Sequence, residues 1–293
     1  MRRFELGGGP LVLDGGLATE LQARGHDLGD ALWSARLLAD EPEAVVAAHR
    51  AFFAAGADVA TTASYQASFE GFAARGIDRR EAAALMRRGV ELAREATDGH
   101  PDRWVAASVG PYGAVLADGS EYRGRYGLTP RELHDFHRPR LEVLAEAGPD
   151  VLALETVPDL DEAEALIDAV TGLGLPAWLS FTIDGDRTRA GQPLADAFRL
   201  AAAAEEVIAV GVNCCSPDDA TGAVALAREI TGAPVVVYPN SGEIWDATAR
   251  DWTGPAVPPA ERARRWRADG AGLIGGCCRV PPAGISALAA ALR

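Results

Sequence analysis

The four cysteines stand in two pairs, Cys214-Cys215 and Cys277-Cys278, about sixty residues apart. Each pair follows a short apolar run, Val207-Ile208-Ala209-Val210 for the first and Leu273-Ile274 for the second. Apolar runs bounded by glycine read as buried strands. The thiols therefore stand where strands end, on elements separated by a strand–helix–strand–helix–strand stretch. Three thiolates gathered there would suit a soft metal, zinc first, and would leave a fourth position for substrate. The competing reading is plain packing, since free cysteine is among the most buried residue types. Neighbours on a strand face opposite ways, so Cys214 and Cys215 cannot both face one metal, and Cys214, Cys277 and Cys278 are read as the ligand set. The same rule forbids Cys277 and Cys278 from sharing a regular strand. They must lie on the turn beyond it, which Gly275-Gly276 permits.

The rest of the chain alternates strand and helix. Strands are read at 11–14, 58–62, 104–109, 151–154, 177–181, 207–214, 234–238 and 273–275, all continuous apolar runs of the kind found when both faces are buried. Helices are read at 41–55 with Asp40 as cap, 79–97, from Thr129-Pro130, 159–171, from Leu194, 217–230, 258–268 and 282–292. Eight of each predict one α/β domain over residues 1–293, a single (β/α)8 TIM barrel, with a doubly wound open sheet as the alternative. Such a barrel carries its chemistry at the C-terminal strand ends. Those ends read Asp14, Ser64, Gly110, Glu155, Thr182, Cys214, Asn240 and Cys277-Cys278. Three long connections on that face, 15–40, 111–128 and 240–257, could form rim and lid.

Several residues carry two readings. Asp14 and Glu155 could bind an ammonium group or act as a base; alternatively they cap a helix or pair with arginine. Asn213 and Asn240 could hold a substrate carboxylate or satisfy backbone. His134 and His137 have metal-capable spacing, but outer-ring helices usually carry histidine on solvated faces. Trp245 and Trp252 could be lid aromatics or cover for core. Gly7-Gly8-Gly9 has no following strand and helix, so it is no phosphate loop.

Composition narrows the classes. The chain has 293 residues, 48% hydrophobic, with formal net charge −14. That charge speaks against nucleic-acid and anionic-membrane partners, which need basic patches. All 28 basic residues are arginine, so lysine Schiff-base and pyridoxal-phosphate chemistry are excluded. The N-terminus lacks an apolar core segment, and no run is long enough to span a membrane, so a cytoplasmic, reducing setting is expected.

The motifs resemble the zinc-dependent homocysteine S-methyltransferases. The matching stretches are 14–21 (Asp14-Gly15-Gly16 onward), 56–59, 61–68 (through Ser64-Tyr65-Gln66), Leu154-Glu155-Thr156, Gly211-Val212-Asn213-Cys214, 238–243 (Tyr238-Pro239-Asn240-Ser241-Gly242-Glu243) and Gly275-Gly276-Cys277-Cys278. They span nearly the whole length. The resemblance implies a (β/α)8 barrel and assigns Zn2+ to Cys214, Cys277 and Cys278. It also implies Asp14 and Glu155 as contacts of the L-homocysteine amino group. Ser64 and Gln66 would line the pocket. Bound to Zn2+, a thiol that is mostly protonated at neutral pH would be held as thiolate. The 238–243 motif looks most like the branch using S-methylmethionine or S-adenosylmethionine, a sulfonium donor. The betaine-using branch resembles it less, having commonly a C-terminal extension; no cobalamin or folate module is expected. A barrel lyase or hydrolase using Asp14 and Glu155, and a protein with structural zinc, stay open, and a monomer or small homo-oligomer is expected.

Overall fold

The structure is a computed structural model that describes residues 4–26, 34–246 and 251–293, excepting the side chains of 34–36, 244–246 and 251–252. Its frame is eight parallel strands: β1 (Leu11–Val12), β2 (Val59–Thr61), β3 (Trp104–Val109), β4 (Val151–Val157), β5 (Ala177–Phe181), β6 (Val207–Asn213), β7 (Val235–Tyr238) and β8 (Ala271–Ile274). They neighbour one another in the order β1-β8-β7-β6-β5-β4-β3-β2. A parallel bridge from Leu13 to Val59 joins the two ends of that sheet. The result is a (β/α)8 barrel, and the open-sheet alternative falls away.

Strand alternation sorts the apolar residues into two cores. Leu13, Val59, Trp104, Ala106, Val151, Ala153, Trp178, Ala209, Val236 and Leu273 fill the barrel interior. Phe4 closes its lower end, edge-on to Trp104 with ring centroids 5.3 Å apart. Val12, Ala60, Val105, Leu152, Leu154, Leu179, Val210, Val235 and Ile274 face the helices instead. The outer helices begin with recognisable signals. Thr129 and Glu132 form a reciprocal capping box ahead of Pro130–Glu146, and Ser216 caps Pro217–Thr231.

Two local expectations need correction. Asp40 does not cap the helix over Pro42–Ala54; it ends the preceding helix, Ser34–Asp40, and the N-cap is Glu41 without a side-chain bond. Proline at the first turn removes one of the donors that a cap would serve. β4 runs beyond Glu155 to Val157, with a register shift between Leu154 and Val157 against β5. The long connections also hold structure of their own. Connection 15–40 contains Leu17–Ala23 and Ser34–Asp40, 111–128 contains Tyr112–Leu116 and Ser120–Tyr122, and 240–257 contains an antiparallel pair, Ile244–Asp246 with Asp251–Thr253. Trp245 and Trp252 are register partners in that pair; their side chains lie outside the described residues. Among the described residues, no helix is long and apolar enough to cross a membrane.

Candidate metal centre and substrate pocket

Three thiols meet at the C-terminal mouth of the barrel. The Sγ atoms of Cys214, Cys277 and Cys278 all lie within 4.8 Å of one another, with Cys214 and Cys278 at 3.6 Å. A tetrahedral ion with metal–sulfur bonds of about 2.3 Å would space its sulfurs by roughly 3.8 Å, so the cluster could take a soft metal with little movement. The thiols are coupled. Hydrogen bonds from Cys214 and Cys277 hold Cys278 well below the ordinary thiol range, while bonding to Cys214 and Cys278, with burial, pushes Cys277 well up. Cys215 points the other way and packs in the outer core.

Backbone geometry, more than strand geometry, aims these thiols. Cys214 lies just past β6 with φ +50, held by its N–H to the Tyr238 carbonyl at 3.2 Å and by Thr182 Oγ1 donating to its carbonyl at 3.2 Å. Cys277 N–H bonds the Pro239 carbonyl at 2.8 Å, and Cys278 N–H bonds Asn240 Oδ1 at 3.2 Å. Arg279 takes the left-handed turn at φ +65 and grips Glu243 with two nitrogens at 3.0 and 3.2 Å. Gly275 and Gly276 serve by their lack of bulk. A Cβ on Gly275 would meet Leu13 Cβ at 2.6 Å, and one on Gly276 would meet Val280 Cγ1 at 2.4 Å.

The mouth beside the thiols is acidic. Glu155 shares its inward parity with Val151 and Ala153, and is 7% exposed. Ser108 Oγ donates to its Oε1, and Tyr238 Oη donates to its Oε2 at 3.0 Å. Burial raises its pKa to about 7 despite those two bonds. Asp14 accepts from Thr61 N–H at 2.8 Å and Thr61 Oγ1 at 2.9 Å. Burial pushes it to about 8, with a smaller upward push from Glu155. Neither carboxylate caps a helix, and among the described residues neither forms an ion pair with arginine. An incoming cation would restore the charged form of both.

The other expected pocket residues have partners within the protein. Ser64 is fully buried, with its hydroxyl on the Ser108 carbonyl at 2.7 Å. Gln66 Nε2 donates to the Ala114 carbonyl at 2.9 Å. Asn213 bonds Thr156 and Ser180. Asn240 braces Cys278, as above. All four thus hydrogen-bond within the protein. His134 is partly exposed beside Asp135 and Asp168. His137 is fully buried, with Nε2 2.9 Å from Glu162 Oε1 and Nδ1 2.8 Å from Arg140 Nη2. The sequence expectation of a solvated face fails for His137.

Connection 111–128 contributes two residues that the sequence reading did not single out. Tyr122 Oη lies 3.0 Å from Cys214 Sγ. Glu121, next to it, has a buried Oε2 with no hydrogen-bond partner, and burial raises its pKa to about 7. Loop residues offer no periodicity; the only available signal was the length of the connection.

A protein-family model described as Homocysteine S-methyltransferase matches residues 11–292. A homocysteine S-methyltransferase of Escherichia coli (strain K12) is 47% identical over 292 residues, covering 96% of this chain and 94% of its own length. Homocysteine S-methyltransferase YbgG of Bacillus subtilis (strain 168) is 45% identical, covering 97% of this chain and 94% of its own. The crystal structure of the metallated form of homocysteine methyltransferase MmuM from E. coli aligns with TM-score 0.87 at 45% identity, over 96% of each chain. The apo form of MmuM aligns less well, with TM-score 0.78 over 97% of this chain and 96% of that one. With a family model over nearly the full length and relatives near half identity, the chain belongs to the homocysteine S-methyltransferase family.

Proposed function

We propose that this chain transfers a methyl group from a sulfonium donor to the sulfur of L-homocysteine, forming methionine, with zinc held by Cys214, Cys277 and Cys278. The observation that carries the reading is the three-thiol cluster set beside two buried carboxylates with lone pairs to spare. The donor set fits the metal: three sulfurs at tetrahedral spacing leave one position open, whereas closed structural sites take four. When bound, zinc supplies a Lewis acid that keeps a fourth sulfur deprotonated at neutral pH.

Asp14 and Glu155 would take the homocysteine ammonium, which relieves the electrostatic cost that burial imposes on both. Ser108 and Tyr238 hold the Glu155 carboxylate in one rotamer, so little freedom is lost on binding. Cys278 is aimed by Asn240, and Arg279-Glu243 braces the same turn. The reaction is an in-line displacement. A sulfur electron pair of homocysteine forms the new carbon–sulfur bond. The donor's carbon–sulfur bond breaks, its pair returning to the donor sulfur as a neutral thioether. A mouth lined by thiolates and carboxylates favours a positive donor, and the sulfonium loses its charge as the methyl moves. S-methylmethionine is favoured over S-adenosylmethionine, because no glycine-rich nucleotide fingerprint follows a strand. A reducing, cytoplasmic setting suits four free thiols.

The test is methionine formation by zinc-loaded protein from homocysteine with S-methylmethionine, S-adenosylmethionine or betaine at equal concentration. Activity is expected with the sulfoniums, highest with S-methylmethionine; activity with betaine alone overturns the donor assignment. Glu155→Gln is expected to raise the homocysteine KM about 30–150-fold, the equivalent of about 2–3 kcal/mol for a lost charge-assisted bond at a desolvated site. Zinc content should not change. An unaltered KM with full turnover would reduce Glu155 to scaffold.

A further inference from the structure

We infer that Asn213 is a positioning residue: its side-chain amide clamps the strained turn at Thr156 and thereby fixes Glu155 relative to the Cys214 thiol. The inference rests on the reading of Glu155 as the partner of the substrate ammonium.

The geometry is direct. Asn213 ends β6, faces the barrel interior and is 0% exposed. Its Oδ1 accepts the Thr156 N–H at 2.7 Å and Ser180 Oγ at 2.9 Å, and its Nδ2 donates to Thr156 Oγ1 at 2.8 Å. One amide thus satisfies the backbone N–H and the hydroxyl of the same residue, on β4 two strands away and 57 positions distant in the chain. Only a side chain carrying an acceptor and a donor on one planar group matches that pair.

Thr156 needs such a brace. Its φ is +61, a left-handed conformation that a β-branched residue disfavours. It lies inside the register shift of β4, between Leu154 and Val157. Released from the clamp, Thr156 would relax toward extended backbone, and the peptide linking it to Glu155 would turn. Glu155 would then leave the position set by Ser108 and Tyr238. The clamp also reaches the thiol cluster, because the next residue, Cys214, has φ +50. The two left-handed residues, one after the carboxylate and one bearing the thiol, are therefore tied together by a single side chain. Ser180 stands beside the clamp: its single hydroxyl proton goes to Asn213 Oδ1 at 2.9 Å, and its oxygen lies 2.8 Å from Tyr238 Oη. Tyr238 in turn donates to Glu155 at 3.0 Å.

A merely structural role and this one separate by acceptor choice. The acceptors are homocysteine and 4-mercaptobutanoate, which is homocysteine without its amino group. Zinc-loaded wild type, Asn213→Ala, Thr156→Gly and the double variant are compared by kcat/KM for each, with zinc content measured alongside. Wild type is expected to prefer homocysteine at least about tenfold, the value of one charged hydrogen bond. Asn213→Ala should lose most of that preference, through a raised homocysteine KM, while keeping its zinc. Glycine adopts the left-handed turn without a brace, so the double variant should recover the preference and Thr156→Gly alone should keep it. Amide exchange at residue 156 should quicken at least about tenfold in Asn213→Ala. If both acceptors fall together in Asn213→Ala with the preference intact, or the double variant fails to recover it, the inference is overturned. If wild type shows no preference, the Glu155 reading falls and takes this inference with it. If Asn213→Ala does not fold, the double variant decides alone.

Discussion

Cys214→Ala, Cys277→Ala and Cys278→Ala should each lose the bound metal and, with it, methyl transfer. The proposed site offers three sulfurs and no fourth cysteine, histidine, aspartate or glutamate among the described residues. If three ligands share evenly an affinity of about 10–16 kcal/mol, losing one weakens binding by about 3–5 kcal/mol, or about 10²–10⁴-fold. Removing one thiolate also opens a second position, so the remaining pair no longer directs a single incoming sulfur. Cys215→Ala is the control. Its thiol is 1% exposed and packs in the outer core, so only a small packing loss is expected, about 1 kcal/mol. Metal analysis and initial rates on the four variants check this. Loss of metal in Cys215→Ala with retention in Cys214→Ala would shift the ligand assignment by one residue.

Glu162→Ala should destabilise the fold by about 3–5 kcal/mol, because it removes the carboxylate whose charge most favours buried Arg140 and leaves the Tyr112, Tyr126 and His137 donors without their acceptor. Glu162 is 0% exposed, as are His137 and Arg140. Its Oε1 accepts the Tyr112 N–H at 2.5 Å and lies 2.9 Å from His137 Nε2, and its Oε2 accepts Tyr126 Oη at 3.2 Å. Burial lowers Arg140 only to about 10, so it stays protonated, whereas burial and Arg140 hold His137 well below its usual range. The ring is therefore neutral, with Nε2–H donated to Glu162 and Nδ1 accepting from Arg140. Burial raises Glu162 itself to about 7, and without it Glu70 is the remaining carboxylate whose charge favours protonated Arg140. The melting temperature should fall by roughly 6–20 °C. Activity should fall as well, since Tyr112 and Tyr126 bracket the connection that brings Tyr122 to Cys214. A loss below about 1 kcal/mol by chemical denaturation would show the network to be dispensable.

The barrel is legible in the sequence because its strands are unbroken apolar runs at regular spacing. Alternation goes further: with Val151 and Ala153 inside, Glu155 has to face the mouth, whereas with Ala209 and Asn213 inside strict alternation would aim Cys215 inward, and the left-handed φ of Cys214 reverses it. What the sequence hides is partner choice between distant elements. Asn213 is visible as a polar residue at a strand end, yet nothing local says that its amide closes on Thr156 and Ser180 across two neighbouring strands. His137 has the spacing of a surface residue, and its burial follows from Glu162 and Arg140 meeting it behind β3. Tyr122 comes from a loop without periodicity. The Gly275-Gly276 pair is legible as a requirement for glycine, but for close approach to Leu13 and Val280, not for an unusual φ, which Arg279 adopts instead.

The central claim is that the three thiols hold a zinc ion and leave room for the substrate sulfur. Zinc-edge X-ray absorption on the loaded protein counts sulfur neighbours directly. Three are expected for the protein alone and four after homocysteine is added, with metal–sulfur distances of about 2.3 Å and one zinc per chain. A count that stays unchanged on adding homocysteine, or four sulfurs in its absence, would contradict the account.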